Sequence, residues 1–324
     1  MSSREVSLDQ NLVLTKVVQG KPSQESEFVG DFISPKVPVP VPQGQIVEFD
    51  NSNQVLYDTR RVPGAETKRR RIGYFGRPYK LVQDSLEGEL PMEVIRDSTR
   101  YGRMLSGTNI AVPFNLERHT VLGTQESLNL RLEYDRAQLL TNPANYDPNN
   151  VVTLSGSDVL NDPNSTIIEL FDQVRERVSD KSLKDVNRAV FSRKAFNAAI
   201  NHPQIRAYFT GVSSEVVMEQ QLARILRLKE IRVAKAKKLI DGTTEDFEAI
   251  WGNNIIVAYV PETLSPDRLE PAFSYTYQLE GYPMVEEPYS DRNCKSMYYP
   301  VTDERNPYIV GLNSGFLIQN ATNN

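Results

Sequence analysis

The chain has 324 residues, 39% hydrophobic and 24% charged, with a formal net charge of -5, which is the composition of a folded globular protein and long enough for two or three compact units. Its single cysteine, Cys294, excludes an internal disulfide and a cysteine-based metal cluster, and with only two histidines, His119 and His202, the composition argues against a metalloenzyme and most histidine chemistry. The opening MSSREVSLDQ lacks the apolar core of a signal peptide, and the longest apolar run, IIVAYV at 255–260, is far shorter than the roughly 20 residues of a membrane helix, so no membrane span is expected.

Residues 1 to about 30 read as an extended, sparsely apolar arm, with Val6, Leu8, Leu12, Leu14, Val17 and Val18 among polar neighbours. Two readings stand: a mobile terminus, or an arm lying on a neighbouring subunit that covers those residues. PKVPVPVP at 35–42 predicts an extended edge segment, because proline cannot donate to a sheet ladder. QIVEF at 45–49 is a short strand candidate.

DTRRVPGAETKRRRIGY at 58–74 then sets six fixed cations, Arg60, Arg61, Lys68, Arg69, Arg70 and Arg71, within twelve residues, opposed only by Glu66. QVLY at 54–57 and RIGYFGRPYKLV at 71–82 flank it, and Pro63-Gly64 is a turn signal. The pattern predicts a long two-stranded hairpin that projects from the body. Such a hairpin is marginal in water by itself. With few apolar residues of its own, it needs another surface to rest on. Just beyond it, DSLEGELPMEVIRD carries Asp84, Glu87, Glu89, Glu93 and Asp97 against one Arg96.

From about 114 the pattern is helical. Val121, Leu128, Leu132 and Leu139 fall near one face before Pro143 stops the run, and Gly123 is a place where it would break. Residues 162–181 carry one apolar stripe, Ile167, Phe171, Val174 and Val178, with Thr166 and Glu169 placed as a capping pair. Strand-like and helical segments then alternate: RAVFSR, KAFNAAIN, the amphipathic EVVMEQQLARILRL, EIRVAKAKKL and NNIIVAYV. Residues 166–270 thus predict a compact α/β unit. The remainder returns to strand-rich FSYTYQLE, KSMYYPV and GFLIQNA, with seven of the fifteen tyrosines at 275–308.

Catalytic motifs are absent from the sequence: no glycine-rich phosphate loop and no GxSxG elbow occur. His119 reads as a solvated or interface side chain, His202 as a helix-terminus residue, Cys294 as a bystander thiol and Trp251 as core. No pair of carboxylates stands out as an acid/base couple, so no catalytic residue, cofactor or metal site is assigned.

The order of these pieces resembles the major capsid protein of tailed bacteriophages, the HK97-like fold. EFVGDFISPKVPVPVPQGQIVEFD is similar to that family's passage from the N-terminal arm into the peripheral (P) domain. DTRRVPGAETKRRRIGY falls where the family has its extended loop (E-loop). NLERHTVLGTQESLNLRLEYDRAQLLTNPANYD resembles the long spine helix, and VVTLSGSDVLNDPNSTIIELFDQVRERV resembles the lambda-type branch. RAVFSRKAFNAAINHPQIRAYF and WGNNIIVAYVP resemble the axial (A) domain. NPYIVGLNSGFLIQNAT resembles the last P-domain strand.

The resemblance implies an α+β fold with an arm at 1–34, a P domain at 35–56, 86–165 and 271–324, an E-loop at 57–85 and an A domain at 166–270. It further implies a structural protein, not an enzyme, that builds the icosahedral head around a double-stranded DNA genome. Copies of the chain would gather as hexamers and pentamers in the virion, assembled in the host cytoplasm. A portal and a separate scaffolding protein are implied partners, unless the arm is a product already shortened; a decoration protein is left open. No membrane is implied, and contact with the packaged genome would be non-specific. The E-loop cations would meet the acidic candidates Asp84, Glu87, Glu89, Glu93 and Asp97 of the next subunit. An alternative remains a nucleic-acid-binding structural protein that uses loop 60–71, and a third an enzyme of carboxylate type.

Overall fold

Two sheets and one long helix organise the chain. The computed structural model describes residues 11–19, 28–49, 56, 59–61, 66–67, 69, 74–97, 116–182, 184–208, 219–239, 246–262 and 272–323. The first sheet is built on a 14-residue strand, Ser296–Ile309. Along one side runs Val82–Pro91, antiparallel without a bulge, from Ser296 opposite Pro91 to Arg305 opposite Val82. Three strands share the other side in turn: Tyr289–Asp291, Met284–Val285 and Ser274–Leu279. Lys36–Val39 completes the sheet parallel to Ser274–Leu279, and its Pro38 suits this edge position.

Side chains alternate across that sheet. One face turns Leu90, Tyr299 and Val301 toward the helix Leu116–Thr141, where they pack with Val121 and Leu128. The helix has 26 residues, a rod of roughly 39 Å. Gly123 does not interrupt it. One exposed glycine costs a helix only about 1 kcal/mol, less than the packing on either side supplies. The strand approaches closely at Gly88, where a Cβ would lie 2.5 Å from Thr124 Oγ1 and 2.6 Å from Thr120 Cγ2. Asn142 and Pro143 end the helix, the Asn142 side-chain Oδ1 accepting from Ala144 N at 3.0 Å.

The second sheet has the order Val151–Thr153, Gly315–Gln319, Ile255–Ala258, Arg188–Ser192, Glu230–Ala234. Its outer pairs are parallel and its inner pairs antiparallel. Helix Ile167–Ser182 lays the expected stripe of Ile167, Phe171, Val174 and Val178 on it, with Phe171 stacked on Phe191 at 5.7 Å between ring centres. Gly315–Gln319, which the resemblance placed in the last P-domain strand, pairs within this second sheet. Its run GFLI is buried on both faces, as an interior strand must be. EIRVAKAKKL divides into Glu230–Ala234 and a separate strand Lys237–Leu239 that pairs with Phe247–Ala249. Within the amphipathic stretch 215–228, Glu219–Ile225 is helical, and 215–218 lie outside the described residues.

The arm also differs from expectation. Leu12–Gln19 is a helix, and it packs on its own chain. Leu14 and Val18 are buried against Val121, Leu128 and Val285. Asn11 N donates to Val285 O at 2.9 Å, and Val285 N to Thr15 Oγ1 at 3.0 Å. Residues 1–10 and 20–27 lie outside the described residues.

Buried charges tie these layers together. Glu133, 1% exposed, accepts from Val29 N at 2.9 Å, Gly30 N at 2.9 Å and the indole N–H of Trp251 at 2.8 Å. Trp251 is therefore core, as expected, and also a donor. Arg136 binds Asp31 at 2.5 Å and Thr276 Oγ1 at 2.9 Å. Arg305 binds Asp303 at 2.5 Å and the Leu128 carbonyl at 2.5 Å. Burial works against ionised Asp31, but Arg136 and Lys36 outweigh it and hold the carboxyl below its usual range.

Candidate assembly surface

The basic loop springs from an antiparallel ribbon, Gln43–Phe49 with Tyr74–Lys80, in register from Gln43 opposite Lys80 to Phe49 opposite Tyr74. A two-stranded ribbon is present as expected, with 43–49 as its N-terminal strand; of 54–57 only Leu56 lies within the described residues, and it is 97% exposed. The two ribbon strands pair with each other and with no other strand among the described residues. Their base is anchored on the first sheet. Tyr79 stacks on Tyr277 at 5.3 Å, within a cluster that includes Val39 and Leu81. Tyr308 O–H donates to Lys80 O at 2.8 Å, Asn306 Nδ2 to the same oxygen at 3.0 Å, and Arg77 Nη1 to Ile309 O at 3.1 Å. The late tyrosines are thus partly a socket for the ribbon, a role their spacing alone did not reveal.

Arg60, Arg61 and Arg69 are exposed. Lys68, Arg70 and Arg71 lie outside the described residues. The five acidic candidates do not form one group. Glu87 and Glu89 stand exposed on the sheet face opposite the long helix. Tyr289 O–H donates to Glu87 at 2.9 Å, and Ser296 O–H to Glu89 at 2.7 Å. Asp84 is half-buried and turns to the helix side, opposite Asp303. Glu93 and Asp97 are exposed on a helical turn at 92–97, where Asp97 pairs with its own Arg96 at 3.2 Å.

Sequence reasoning missed two carboxylates that share the outer face. Glu304 alternates outward along Ser296–Ile309, and Glu286 accepts from Thr302 Oγ1 at 2.8 Å beside it. The alternation of 296–309 carried the signal for Glu304; nothing local to Glu286 did. No lysine or arginine lies within ion-pair distance of Glu87, Glu89, Glu286 or Glu304 among the described residues. The tyrosines register the negative field. The hydrogen bond to Glu87 pushes Tyr289 up, and burial with Glu304, Glu286 and Asp303 pushes Tyr282 up. Tyr298, stacked on Tyr289 at 5.4 Å, is pushed up to about 12, first by its hydrogen bond with Cys294.

Reactive side chains hold structural positions. His202 is buried, takes Gln204 N on Nδ1 at 3.3 Å and meets Ser165 Oγ at 3.0 Å, so it caps the short helix Pro203–Ala207. His119 is exposed on the long helix, and Cys294 is exposed. Among the described residues no group of His, Cys, Asp or Glu is placed to hold a metal ion, and no helix is long and apolar enough to cross a membrane.

No family model matches the sequence. The chain is 27% identical over 309 residues to the major capsid protein of the Burkholderia phage BcepMu, with 94% of each covered. Its fold matches the crystal structure of a phage-related protein from Bordetella bronchiseptica RB50 with a TM-score of 0.76 and 31% identity, over 97% of this chain and 98% of that one. The capsid of cyanophage P-SCSP1u shares the fold alone: TM-score 0.54 at 7% identity, over 98% of this chain and 91% of that one.

Proposed function

We propose that this chain, which belongs with the HK97-like major capsid proteins of tailed phages, forms the icosahedral head that encloses a double-stranded DNA genome, and that its parts share the task as follows. The unit at 166–270, built on the second sheet, gathers copies into hexamers and pentamers. The basic loop of each copy reaches the next copy, where Arg60, Arg61 and Arg69 meet carboxylates of the first sheet, above all Glu87 and Glu89. Lys68, Arg70 and Arg71 add to the same charge. A separate scaffolding protein and a portal complete the assembly in the host cytoplasm, and the genome is touched non-specifically.

The observation that carries this reading is the ribbon. Among the described residues it is anchored at its base, while Arg60, Arg61 and Arg69 are exposed in the loop it carries and Glu87 and Glu89 are exposed on the outer sheet face. Exposed ion pairs contribute only about 0–1 kcal/mol each. Repeated over a shell, and with arginine's forked geometry, they set register and steer encounter. Specific nucleic-acid recognition by loop 60–71 is not favoured, because the chain is net acidic and its relatives are capsid proteins.

Charge reversal tests the reading. A variant with Arg60→Glu, Arg61→Glu and Arg69→Glu is expected to stay folded by circular dichroism and to lose closed particles in negative-stain microscopy. Normal particles from it would overturn the loop's role.

A further inference from the structure

Residues 227–238, RLKEIRVAKAKK, form a second basic stretch as dense as the loop: Arg227, Lys229, Arg232, Lys235, Lys237 and Lys238 within twelve residues, with Glu230 the one acid. Four of these cations are matched within the fold. Arg227 pairs with Asp172 at 3.6 Å, Lys229 with Glu262, Arg232 with Glu230 at 3.1 Å and Lys238 with Glu248 at 3.2 Å. Lys235 and Lys237 are exposed and have no carboxylate within ion-pair distance among the described residues. These two flank a groove of about 510 Å³ between the long helix and the small hairpin of Lys237–Leu239 with Phe247–Ala249. Phe28, Leu130 and Phe247 supply its apolar wall, and Glu126 lines it from the helix. Phe247 is 58% exposed, and Leu239, directly opposite it in the hairpin, is 49% exposed. A sheet of only two strands is marginal in water, so cover over this apolar pair would stabilise it.

We propose that this groove binds an acidic, amphipathic peptide segment of a partner protein, its apolar anchors against Phe28, Leu130 and Phe247 and its carboxylates on Lys235 and Lys237. The proposal is independent of the loop–sheet contact. Charge complementarity sets the sign of the occupant, because the two unmatched cations of the stretch are the two at the groove. The apolar wall then decides between acidic partners. Duplex DNA presents phosphates and gains nothing from exposed phenylalanine, and two cations hold it weakly and only at low salt. A peptide delivers apolar side chains and carboxylates within one turn of helix. Glu126 adds the same preference: it penalises an occupant that is acidic all round and favours one with an apolar face. The groove takes only a few side chains, so the contact is weak, reversible and sensitive to salt.

Fluorescence anisotropy on dissociated subunits of the full chain tests this with three labelled probes. One is a peptide of about 12 residues with phenylalanine and leucine at helical spacing and glutamate elsewhere. The second carries lysine in place of each glutamate, and the third is a DNA duplex of about 20 base pairs. The acidic peptide is expected to bind and the lysine peptide not to. Two variants divide the site: Lys235→Glu with Lys237→Glu removes the charge, and Phe247→Ser removes the apolar anchor. All three side chains are exposed, so both variants are expected to melt with the wild type. Each is expected to weaken the acidic peptide at least tenfold. No binding of that peptide, equal binding of the lysine peptide, or loss in only one of the two variants overturns the proposal. Tighter binding of the duplex than of the peptide, lost in the lysine variant and kept in Phe247→Ser, overturns it as well and assigns the surface to nucleic acid.

Discussion

Glu133 is the position where one substitution should reveal most about what holds the layers together. Its carboxylate is 1% exposed and takes three N–H donors, from Val29, Gly30 and the Trp251 indole. Glu133→Ala leaves those donors buried without an acceptor, at about 1–3 kcal/mol each. The three share one acceptor group, so their costs overlap, and a net loss of about 3–6 kcal/mol is expected. That is a large part of the roughly 5–15 kcal/mol that stabilises a domain. Trp251 is the only tryptophan and is 2% exposed, so its emission reports on this site during urea unfolding. The variant should unfold at lower urea with red-shifted native emission. The pH dependence adds a sign. Burial, the largest influence, raises the Glu133 pKa above its ordinary 4.5 despite Arg136 and the three donors. The folded state then holds the proton more tightly than the unfolded state. Stability from this group is greatest below 4.5 and declines as pH rises through the raised value. Glu133→Gln, which does not titrate, should lack that decline. A loss under about 1 kcal/mol in Glu133→Ala, with unshifted emission, would refute the buried-acceptor account.

Arg305→Met should cost about 3–5 kcal/mol in chemical denaturation, because it leaves the fully buried Asp303 carboxylate without its cation. Gly88→Val should lower the melting temperature through overpacking of about 1–3 kcal/mol, since even a Cβ there meets Thr120 and Thr124. Tyr308→Phe removes the hydroxyl that clasps Lys80 and should cost only about 1 kcal/mol in global stability; limited proteolysis should nevertheless cut the ribbon faster.

Much of this fold was legible because it is local. The stripe Ile167, Phe171, Val174, Val178 and the run ended by Pro143 specify helices wherever they land, and both are there. What the sequence hid is long-range. LVLTKVVQ is rich in β-branched residues, and only the surface offered by Val121, Leu128 and Val285 makes it a docked helix. GFLIQ announces a strand but not which sheet takes it; burial on both faces decides that in favour of the second. Glu133, Arg136 and Arg305 meet buried partners that lie 104, 140 and 177 residues away, so no local pattern marks them as buried. At the assembly surface the basic loop was plain, whereas Glu286 joins the acidic face only through the pairing of 284–285 with 301–302.

The strand Ser296–Ile309 shows how one segment serves both ends of this design. Asp303 and Arg305 point under the long helix, where each charge has a partner within 2.5 Å. An unpaired charge there would cost several kcal/mol, so the pair must be complete before the subunit is stable. Glu304, between them, points the other way, to a face on which Glu87, Glu89 and Glu286 likewise lack a cation among the described residues. In water these carboxylates cost the monomer little, because solvent screens them. The chain therefore closes its accounts of charge inside and leaves them open outside. If the proposed contact between the basic loop and this face holds assembled copies together, high salt should weaken assembly without loosening the core.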